Sequence, residues 1–386
     1  MIKFNMKLFL KLSDISNIKR IAFRQDINGL RAISVLAVVF YHAEIELFKG
    51  GWLGVDIFFV ISGYLISNII ISQINEGTFS FKHFYIRRVK RILPALFSTL
   101  LFTIPFTYFL LPPKAMEEYI DSMFASIFFY ANYYFMNLDF YVADSTKFMP
   151  LLHTWSLAIE EQYYLLFPLF AFVIYKYFKK YFTFFIGFIT LGSLYLNSLT
   201  QSTDKFYRLE FRIWELLLGV LVMIFSSNFK VKHLEKIGIP LLLFSVYYFG
   251  DDWINDIEPK LISLIGVSLI IFSNTESTNL TKILKLKSIS TIGLISYSMY
   301  LIHQPLFSLF RKFFLYYEIE FTSYIKFCLI TLLLIISFLN YKYIEKTAQN
   351  TQHLKLLLLR LLACFFIIIG FTTVFKTTDV IQSRFI

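Results

Sequence analysis

The chain has 386 residues, of which 57% are hydrophobic, 20% aromatic and only 16% charged, and its mean hydropathy is +0.63. A water-soluble domain carries about 25% charged residues, so this composition excludes that class and indicates an integral membrane protein. The net charge of +11 comes from basic clusters between apolar runs. The positive-inside rule explains that pattern better than nucleic-acid binding does.

Taken in chain order, the apolar runs predict an all-α, polytopic membrane bundle of about 10–11 transmembrane helices. The candidate spans are residues 30–46, 52–74, 92–111, 157–175, 181–198, 212–227, 237–250, 259–273, 289–310, 321–341 and 360–376. Basic segments should be cytoplasmic, and they fall at 3–24, 82–91, 176–180, 228–236, 282–287 and 342–360. The acidic segment 251–258 should lie outside.

Residues 118–138 are also apolar enough to cross a membrane. A crossing there would place the basic segment 176–180 outside, against the positive-inside rule. We therefore predict a re-entrant or interfacial segment at 118–138. This choice places the N-terminus inside the cell and the C-terminus outside.

Arg31 and His42 lie eleven residues apart in the first apolar run, which is about three helical turns and 16 Å. Both side chains should share one face of a helix, where a cation and an imidazole are costly unless the protein uses or satisfies them. An equally good explanation is structural: Arg31 anchors the inner end of the span and His42 forms hydrogen bonds. As a functional group, His42 is a candidate general base, with Asp56 or Glu160 as its partner.

The basic cluster at 82–91 contains a second candidate site. Arg88 and Arg91 are three residues apart, and so share a helix face. A positive-inside anchor is the more common explanation for such a cluster. Paired guanidinium groups also suit phosphate oxygens, so a phosphorylated cytosolic donor such as acyl-coenzyme A would fit them.

A third polar group stands at the outer start of the span 157–175. Glu160, Glu161 and Gln162 are costly there unless they face a cavity, although the membrane–water boundary would also accommodate them. Adjacent helix positions point about 100° apart, so at most one of the two carboxylates faces the bundle centre.

Other polar residues have simpler explanations. Arg212 and Glu215 have the spacing of a local ion pair, and His303, beside a proline, is best explained as a structural histidine. Cys328 and Cys364 lack the spacing of metal ligands, so no metal site is predicted.

Six blocks in order, spread from residue 24 to about 346, together resemble the membrane-bound acyltransferase family 3, which O-acylates bacterial surface glycans such as lipopolysaccharide O-antigen. The blocks are Asp26–Ala32, Gly54–Gly63, Phe84–Pro94, His153–Tyr164, Trp214–Gly219 and Ser296–Pro305. The resemblance implies an O-acyltransferase of the bacterial inner membrane. Its acyl group, most often acetyl, would pass from cytoplasmic acyl-coenzyme A to a hydroxyl of an envelope polysaccharide or lipid-linked glycan, with no bound cofactor.

The resemblance also implies roles for individual residues. His42 matches the essential histidine and Arg31 its partner, while Arg88 and Arg91 match the pair assigned to the donor. The predicted site residues are catalytic His42, Glu160 and Asp56, with donor-binding Arg31, Arg88 and Arg91. The secondary candidates are Ser62, Trp155, Glu161 and Gln162. Across the membrane, we expect Arg88 and Arg91 near the inner face, Glu160 near the outer face, and His42 between them.

The predicted organisation is a basic N-terminus (1–25), the family domain (26–346), a loop with the last transmembrane helix (347–376) and an extracytoplasmic tail (377–386). Many relatives carry a hydrolase-like domain after the last span. The tail has none of the motifs of that domain, so we expect a stand-alone form, a truncated form, or one that works with a separate extracytoplasmic transferase.

Two other function classes compete with acyl transfer. A proton-coupled transporter or glycan exporter would also bury ionisable residues, but carriers usually show inverted repeats and none is evident here. A scaffold protein would leave the buried charges unexplained.

Overall fold

The structure is a computed structural model that describes residues 14–16, 18–20, 24–138, 145–229, 231–273 and 279–377. Regular structure within these ranges is helical and includes no strand, which confirms the all-α prediction. The helices, numbered in chain order, are α1 Gln25–His42, α2 Gly54–Asn75, α3 Phe81–Leu110, α4 Pro113–Ile127, α5 Ala131–Met136, α6 Thr154–Phe178, α7 Phe182–Leu199, α8 Leu209–Asn228, α9 Glu235–Tyr248, α10 Glu258–Ser273, α11 Asn279–Leu284, α12 Lys287–Tyr316, α13 Ser323–Asn340, α14 Lys346–Asn350 and α15 Leu354–Thr377. A π-helical turn, Tyr341–Glu345, joins α13 to α14.

Five helical segments of the described chain are long and apolar enough to cross a membrane. They are Gly51–Asn75, Phe81–Leu110, Thr154–Leu199, Ser323–Asn350 and Leu354–Phe375. The protein is therefore a membrane-embedded helical protein. A helix also occurs at each of the other predicted spans, but these are shorter or more polar, and the count of eleven stays a prediction.

The segment 118–138 does not form one spanning helix. Helix α4 has 15 residues, about 22 Å, and α5 has six. Between them Phe129 adopts a positive φ of 55°, which ends the helical path. The hydrocarbon core of a bilayer is about 30 Å thick, so neither helix is long enough to cross it.

The direction of α2 and α6 supports the same conclusion. Ser62 of α2 bonds to Glu160 of α6, and further along both helices Asn75 bonds to Tyr175. The residue numbers of both helices increase from the first contact to the second, so the two helices are parallel. Two parallel spans need one crossing between them, which α3 supplies. An additional crossing by 118–138 would make them antiparallel.

The described residues form two compact units, each built from two stretches of chain. Unit 1 comprises the chain up to Ser80 together with Ile159–Leu294, and unit 2 comprises Phe81–Ala158 together with the chain from Ile295. Each unit therefore contains several of the sequence blocks. His42, Asp56, Ser62 and Glu160 belong to unit 1, whereas Arg88, Arg91 and Trp155 belong to unit 2.

Helices α2 and α8 cross in unit 1 with their backbones in contact. A Cβ atom added to Gly63 would lie 1.8 Å from the carbonyl oxygen of Leu216, and one added to Gly219 would lie 2.1 Å from that of Val60. Small residues let helices approach closely in membranes. The glycines of two sequence blocks are therefore explained by one crossing.

The start of α1 is held by Arg24. Its guanidinium pairs with Asp26 at 2.5 Å and also donates to the Tyr64 hydroxyl (3.0 Å) and the Ile271 carbonyl (3.1 Å). Burial alone would raise the pKa of the Asp26 carboxyl, but the hydrogen bond and charge of Arg24 outweigh it, so this pKa lies below its usual value. Helix α1 is thus tied to α2 and α10.

Candidate active site

His42 is the last residue of α1, which continues unbroken from Gln25, so Arg31 and His42 do lie on one helix. The His42 side chain is half-buried, and its Nδ1 lies 2.8 Å from the carbonyl oxygen of Val38. A carbonyl oxygen only accepts, so Nδ1 carries the hydrogen and Nε2 carries the lone pair. The C-terminus of a helix also favours the positive charge of an imidazolium. In the neutral imidazole of His42, the basic nitrogen is therefore Nε2.

The surroundings of His42 identify which end of unit 1 it occupies. The neighbouring Tyr41 ring stands edge-on to the imidazole, with centroids 5.0 Å apart, and the Tyr41 hydroxyl donates to Asp251 (2.6 Å). Trp52 donates from its indole nitrogen to the carbonyl of Phe249 (3.3 Å). His42 thus lies at the same end of unit 1 as the acidic segment 251–258.

Asp56 is ion-paired with Arg212 of α8, and both side chains are only 1% exposed. The Arg212 guanidinium also binds Glu215 through two atoms, with Nε–Oε1 at 2.9 Å and Nη2–Oε2 at 3.1 Å. The predicted local pair of Arg212 and Glu215 is confirmed. The residue pattern did not predict that Asp56, 156 residues before Arg212, also pairs with this guanidinium.

Lys260 of α10 adds a second buried cation to this group. Its ammonium donates to the carbonyl of Ile254 (2.9 Å), lies 5.8 Å from the centre of the Trp52 ring, and interacts electrostatically with Asp56 and Glu215. Asp56, Arg212, Glu215 and Lys260, hereafter the charge quartet, thus bring two carboxyl groups and two basic groups together inside unit 1. Lys260 was not among the sequence-predicted residues, and its only sequence signal is a basic residue at the start of the predicted span 259–273.

Glu160 gathers two hydroxyl groups in another part of unit 1. One carboxylate oxygen accepts hydrogen bonds from Ser62 of α2 and from Tyr164, one turn further along α6. Ser62 was a secondary candidate, and Tyr164 was not assigned any role. Glu161 and Gln162 follow Glu160 on α6 and are half-buried.

These contacts change the expected arrangement around His42. The carboxylates of Asp56 and Glu160, both considered as its partner, are engaged by Arg212 and by Ser62 with Tyr164. The group that orients the imidazole is instead a main-chain carbonyl.

The depth order also differs from the expectation. Arg24, just before α1, bonds to Tyr64 of α2, and Ser62 lies two residues before Tyr64. Ser62 and its partner Glu160 are therefore level with the start of α1, whereas His42 ends that helix about 25 Å away along its axis. If the N-terminus lies inside, as the sequence predicts, Glu160 is nearer the inner face than His42, which is the opposite of the expected order. Residue spacing within separate spans does not show how the spans are staggered.

In unit 2, Arg88 and Arg91 lie half-buried on the continuous helix α3, as their spacing predicts. The Arg88 guanidinium lies 5.8 Å from the centre of the Phe84 ring. Lys90, between them in sequence, donates to the carbonyl of Thr351 (2.6 Å). Their role in binding a donor stays a prediction.

Unit 2 also brings together residues of two distant sequence blocks, His153–Tyr164 and Ser296–Pro305. The rings of His153 and His303 are both buried and lie edge to face, with centroids 5.3 Å apart. His303 Nδ1 lies 2.6 Å from the carbonyl of Tyr300, whose hydroxyl donates to the carbonyl of His153 (2.9 Å). Trp155, a secondary candidate, is buried nearby in sequence. Within the described ranges no group of three or more His, Cys, Asp or Glu residues is arranged to hold a metal ion.

A helical membrane protein with a half-buried imidazole and charged groups inside its bundle fits the class of membrane-embedded enzymes. The chain matches the acyltransferase domain family (acyltransferase 3) over residues 24–340 and belongs to that family.

Two similar proteins come from Staphylococcus aureus. “Putative O-acetyltransferase SAS0844” of strain MSSA476 is 32% identical over 359 residues, covering 87% of this chain and 59% of the relative. O-acetyltransferase OatA of strain NCTC 8325 / PS 47 is 31% identical over 342 residues, covering 83% of this chain and 56% of the relative. The chain thus spans less than two thirds of these relatives. No solved structure is significantly similar to it.

Proposed function

We propose that the protein is a membrane O-acetyltransferase that moves an acetyl group from cytoplasmic acetyl-coenzyme A to a hydroxyl of an envelope polysaccharide or lipid-linked glycan. Membership of the acyltransferase family and the names of the relatives support the reaction class. The observation that carries the proposal is the geometry of His42, whose Nδ1–H is bound to a carbonyl so that Nε2 is the basic atom.

The reaction follows from that basic atom. Nε2 of His42 takes the proton of the acceptor hydroxyl as its oxygen attacks the thioester carbonyl. The new C–O bond forms, the C–S bond breaks, and the coenzyme A thiolate leaves and takes a proton from the imidazolium. General-base catalysis of this kind contributes about 10²–10⁴-fold in rate. The position of His42 beside the acidic segment 251–258 supports an acceptor that arrives from outside.

The other residues have separate parts in this proposal. Arg88 and Arg91 bind the phosphates of the donor at the inner face, and Arg31 steers the donor or stabilises the oxyanion. Glu160 polarises the hydroxyls of Ser62 and Tyr164. Asp56 is assigned a structural part, because its charge is matched by Arg212. We place the N-terminus inside the cell and the C-terminus outside an inner membrane.

Replacing His42 tests the proposal. A strain that lacks the gene would be complemented with the wild type, with His42→Ala or with His353→Ala, a matched histidine in an exposed loop. Mass spectrometry of envelope glycans should show O-acetylation lost with His42→Ala and kept with His353→Ala, at equal protein levels in the membrane. Unchanged acetylation in His42→Ala would overturn the mechanism. Loss of glycan export with acetylation intact would favour a transporter.

The donor site has its own test. Lysine cannot form the bidentate contacts of arginine with phosphate, so Arg91→Lys should raise the KM for acetyl-coenzyme A about tenfold. Arg87→Lys, at an exposed neighbouring position, should leave it unchanged. Equal KM values for the two variants would remove the assigned role.

A further inference from the structure

Unit 2 contains a large cavity that has no part in the proposed acyl transfer. Its volume is about 710 Å³, within the range of small-molecule sites, and it lies between helices α3, α12 and α13. The lining is almost entirely hydrocarbon and aromatic, with residues such as Phe102, Phe106, Leu306, Phe310, Leu332 and Ile336. A ligand for this cavity must therefore be apolar over most of its length.

The cavity is long and has one polar end. On α3 its lining runs from Ser98 to Leu110, a rise of about 18 Å. At the Ser98 end, the Ser98 hydroxyl donates to Asn340 (2.8 Å), and the Asn340 amide donates to Ser298 (3.1 Å). Tyr343, in the π-helical turn, lines the same end, and such turns are frequent at functional sites. A long apolar space with one polar end fits a single hydrocarbon chain whose head remains at that end.

Positive charge surrounds the polar end. The Lys342 ammonium lies 5.0 Å from the centre of the Tyr343 ring, and Lys346 is exposed one turn further along. Lys90 of α3 donates to the carbonyl of Thr351 (2.6 Å), which holds the basic segment 342–360 against this helix.

The acidic residue of that segment does not offset this charge at the surface. Glu345 is only 3% exposed and accepts hydrogen bonds from Ser298 (3.0 Å) and Gln349 (3.1 Å). The outward charge at this end is therefore basic.

We propose that this cavity binds one acyl chain of an anionic phospholipid, with the phosphate headgroup beside Lys342 and Lys346. Basic pockets between transmembrane helices on the cytoplasmic side of a membrane recognise anionic headgroups in this way. The chain fills the space between α3, α12 and α13. The proposal is independent of the acyl-transfer chemistry.

Filling the cavity tests the chain site. The full-length protein would be purified in detergent and exposed to dioleoylphosphatidylglycerol, and the retained lipid would be counted by mass spectrometry after detergent washing. Ile336→Trp places an indole in the cavity, whereas Ile335→Trp places it at a neighbouring position that is 54% exposed. We expect about one lipid per chain in the wild type and Ile335→Trp, and loss of that lipid in Ile336→Trp. Equal retention in both variants would overturn the proposal, provided that both give the wild-type elution volume.

A second comparison tests the headgroup. Dioleoylphosphatidylglycerol would compete with dioleoylphosphatidylcholine for the washed protein. Each lysine near a membrane surface contributes about a fivefold preference for anionic lipid, so Lys342→Gln should reduce the preference by about that factor. Lys326→Gln, near the opposite end of α13, should not. Equal binding of both lipids by the wild type, or tighter binding of a long-chain acyl-coenzyme A, would contradict the proposal. Full O-acetylation by the Ile336→Trp variant would be consistent with the proposal, because the lipid site is separate from the acyl-transfer chemistry.

Discussion

Two polar regions of unit 1 use ionisable side chains in opposite ways. The charge quartet is enclosed by the protein, because Asp56, Arg212, Glu215 and Lys260 are each at most 1% exposed. His42 is half-buried at the end of a helix, and its Nδ1 bonds to a main-chain carbonyl. The buried ionisable groups of the quartet join helices, whereas the proposed proton transfer is assigned to the partly accessible imidazole.

The largest loss of stability should follow from removing the arginine of the charge quartet. Arg212→Met removes the group that pairs directly with Asp56 and Glu215, and leaves both buried carboxyl groups without their ion-pair partner. Breaking a buried ion pair costs about 3–5 kcal/mol, so the free energy of unfolding in detergent should fall by about that much.

The matched control for this change is Arg208→Met. Arg208 pairs with Glu210, but both side chains are 41% exposed, and such pairs contribute at most about 1 kcal/mol. If both variants unfold at the same denaturant concentration, the quartet does not join the helices as described.

A smaller loss of stability is expected from a substitution at the crossing of α2 and α8. In Gly63→Ala the new methyl group would lie 1.8 Å from the Leu216 carbonyl, so α2 and α8 must separate. Overpacking of this kind costs about 1–3 kcal/mol. Gly187→Ala, where nothing lies within 4 Å of the added Cβ, should not lower the unfolding midpoint, because alanine favours a helix more than glycine does. A loss of stability in Gly187→Ala as large as that in Gly63→Ala would argue against close packing as the cause.

The smallest effect concerns the pair of Arg24 and Asp26 at the start of α1. The pKa of Asp26 is lowered in the folded protein, so its stabilisation is present above the unfolded pKa of about 3.9 and is lost as the pH falls through the folded value. Asp26→Asn should therefore reduce stability at pH 7 by about 1 kcal/mol and flatten the acid side of the stability curve. An unaltered pH profile in this variant would show that the pair does not stabilise the fold.

The sequence predicted much of the fold because membrane burial leaves a strong signal in composition. The runs of apolar residues identified the all-α class, and basic clusters led to the prediction that 118–138 does not cross, which the broken α4–α5 segment supports. The helix spacing of Arg31 with His42 and of Arg212 with Glu215 was also predictable, because it depends only on local geometry.

Contacts between distant spans were not predictable from one sequence. Nothing in the residue pattern specifies that Asp56 meets Arg212, or that Glu160 meets Ser62 rather than His42. Those contacts depend on the stagger of α2, α6 and α8, and the backbone contacts at Gly63 and Gly219 fix it for α2 and α8. The orienting group of His42 is a main-chain carbonyl, and its location follows only from knowing where the helix ends.

The most direct test of the central claim is the acetylation rate of His42→Gln per folded molecule, measured as O-acetyl groups added to envelope glycan in cells. Glutamine keeps an amide donor but lacks a nitrogen that can take a proton at neutral pH. The account predicts a rate lower by about 10²–10⁴-fold with an unfolding midpoint equal to that of the wild type. A wild-type rate, or a loss of activity that only follows a loss of folded protein, would contradict it.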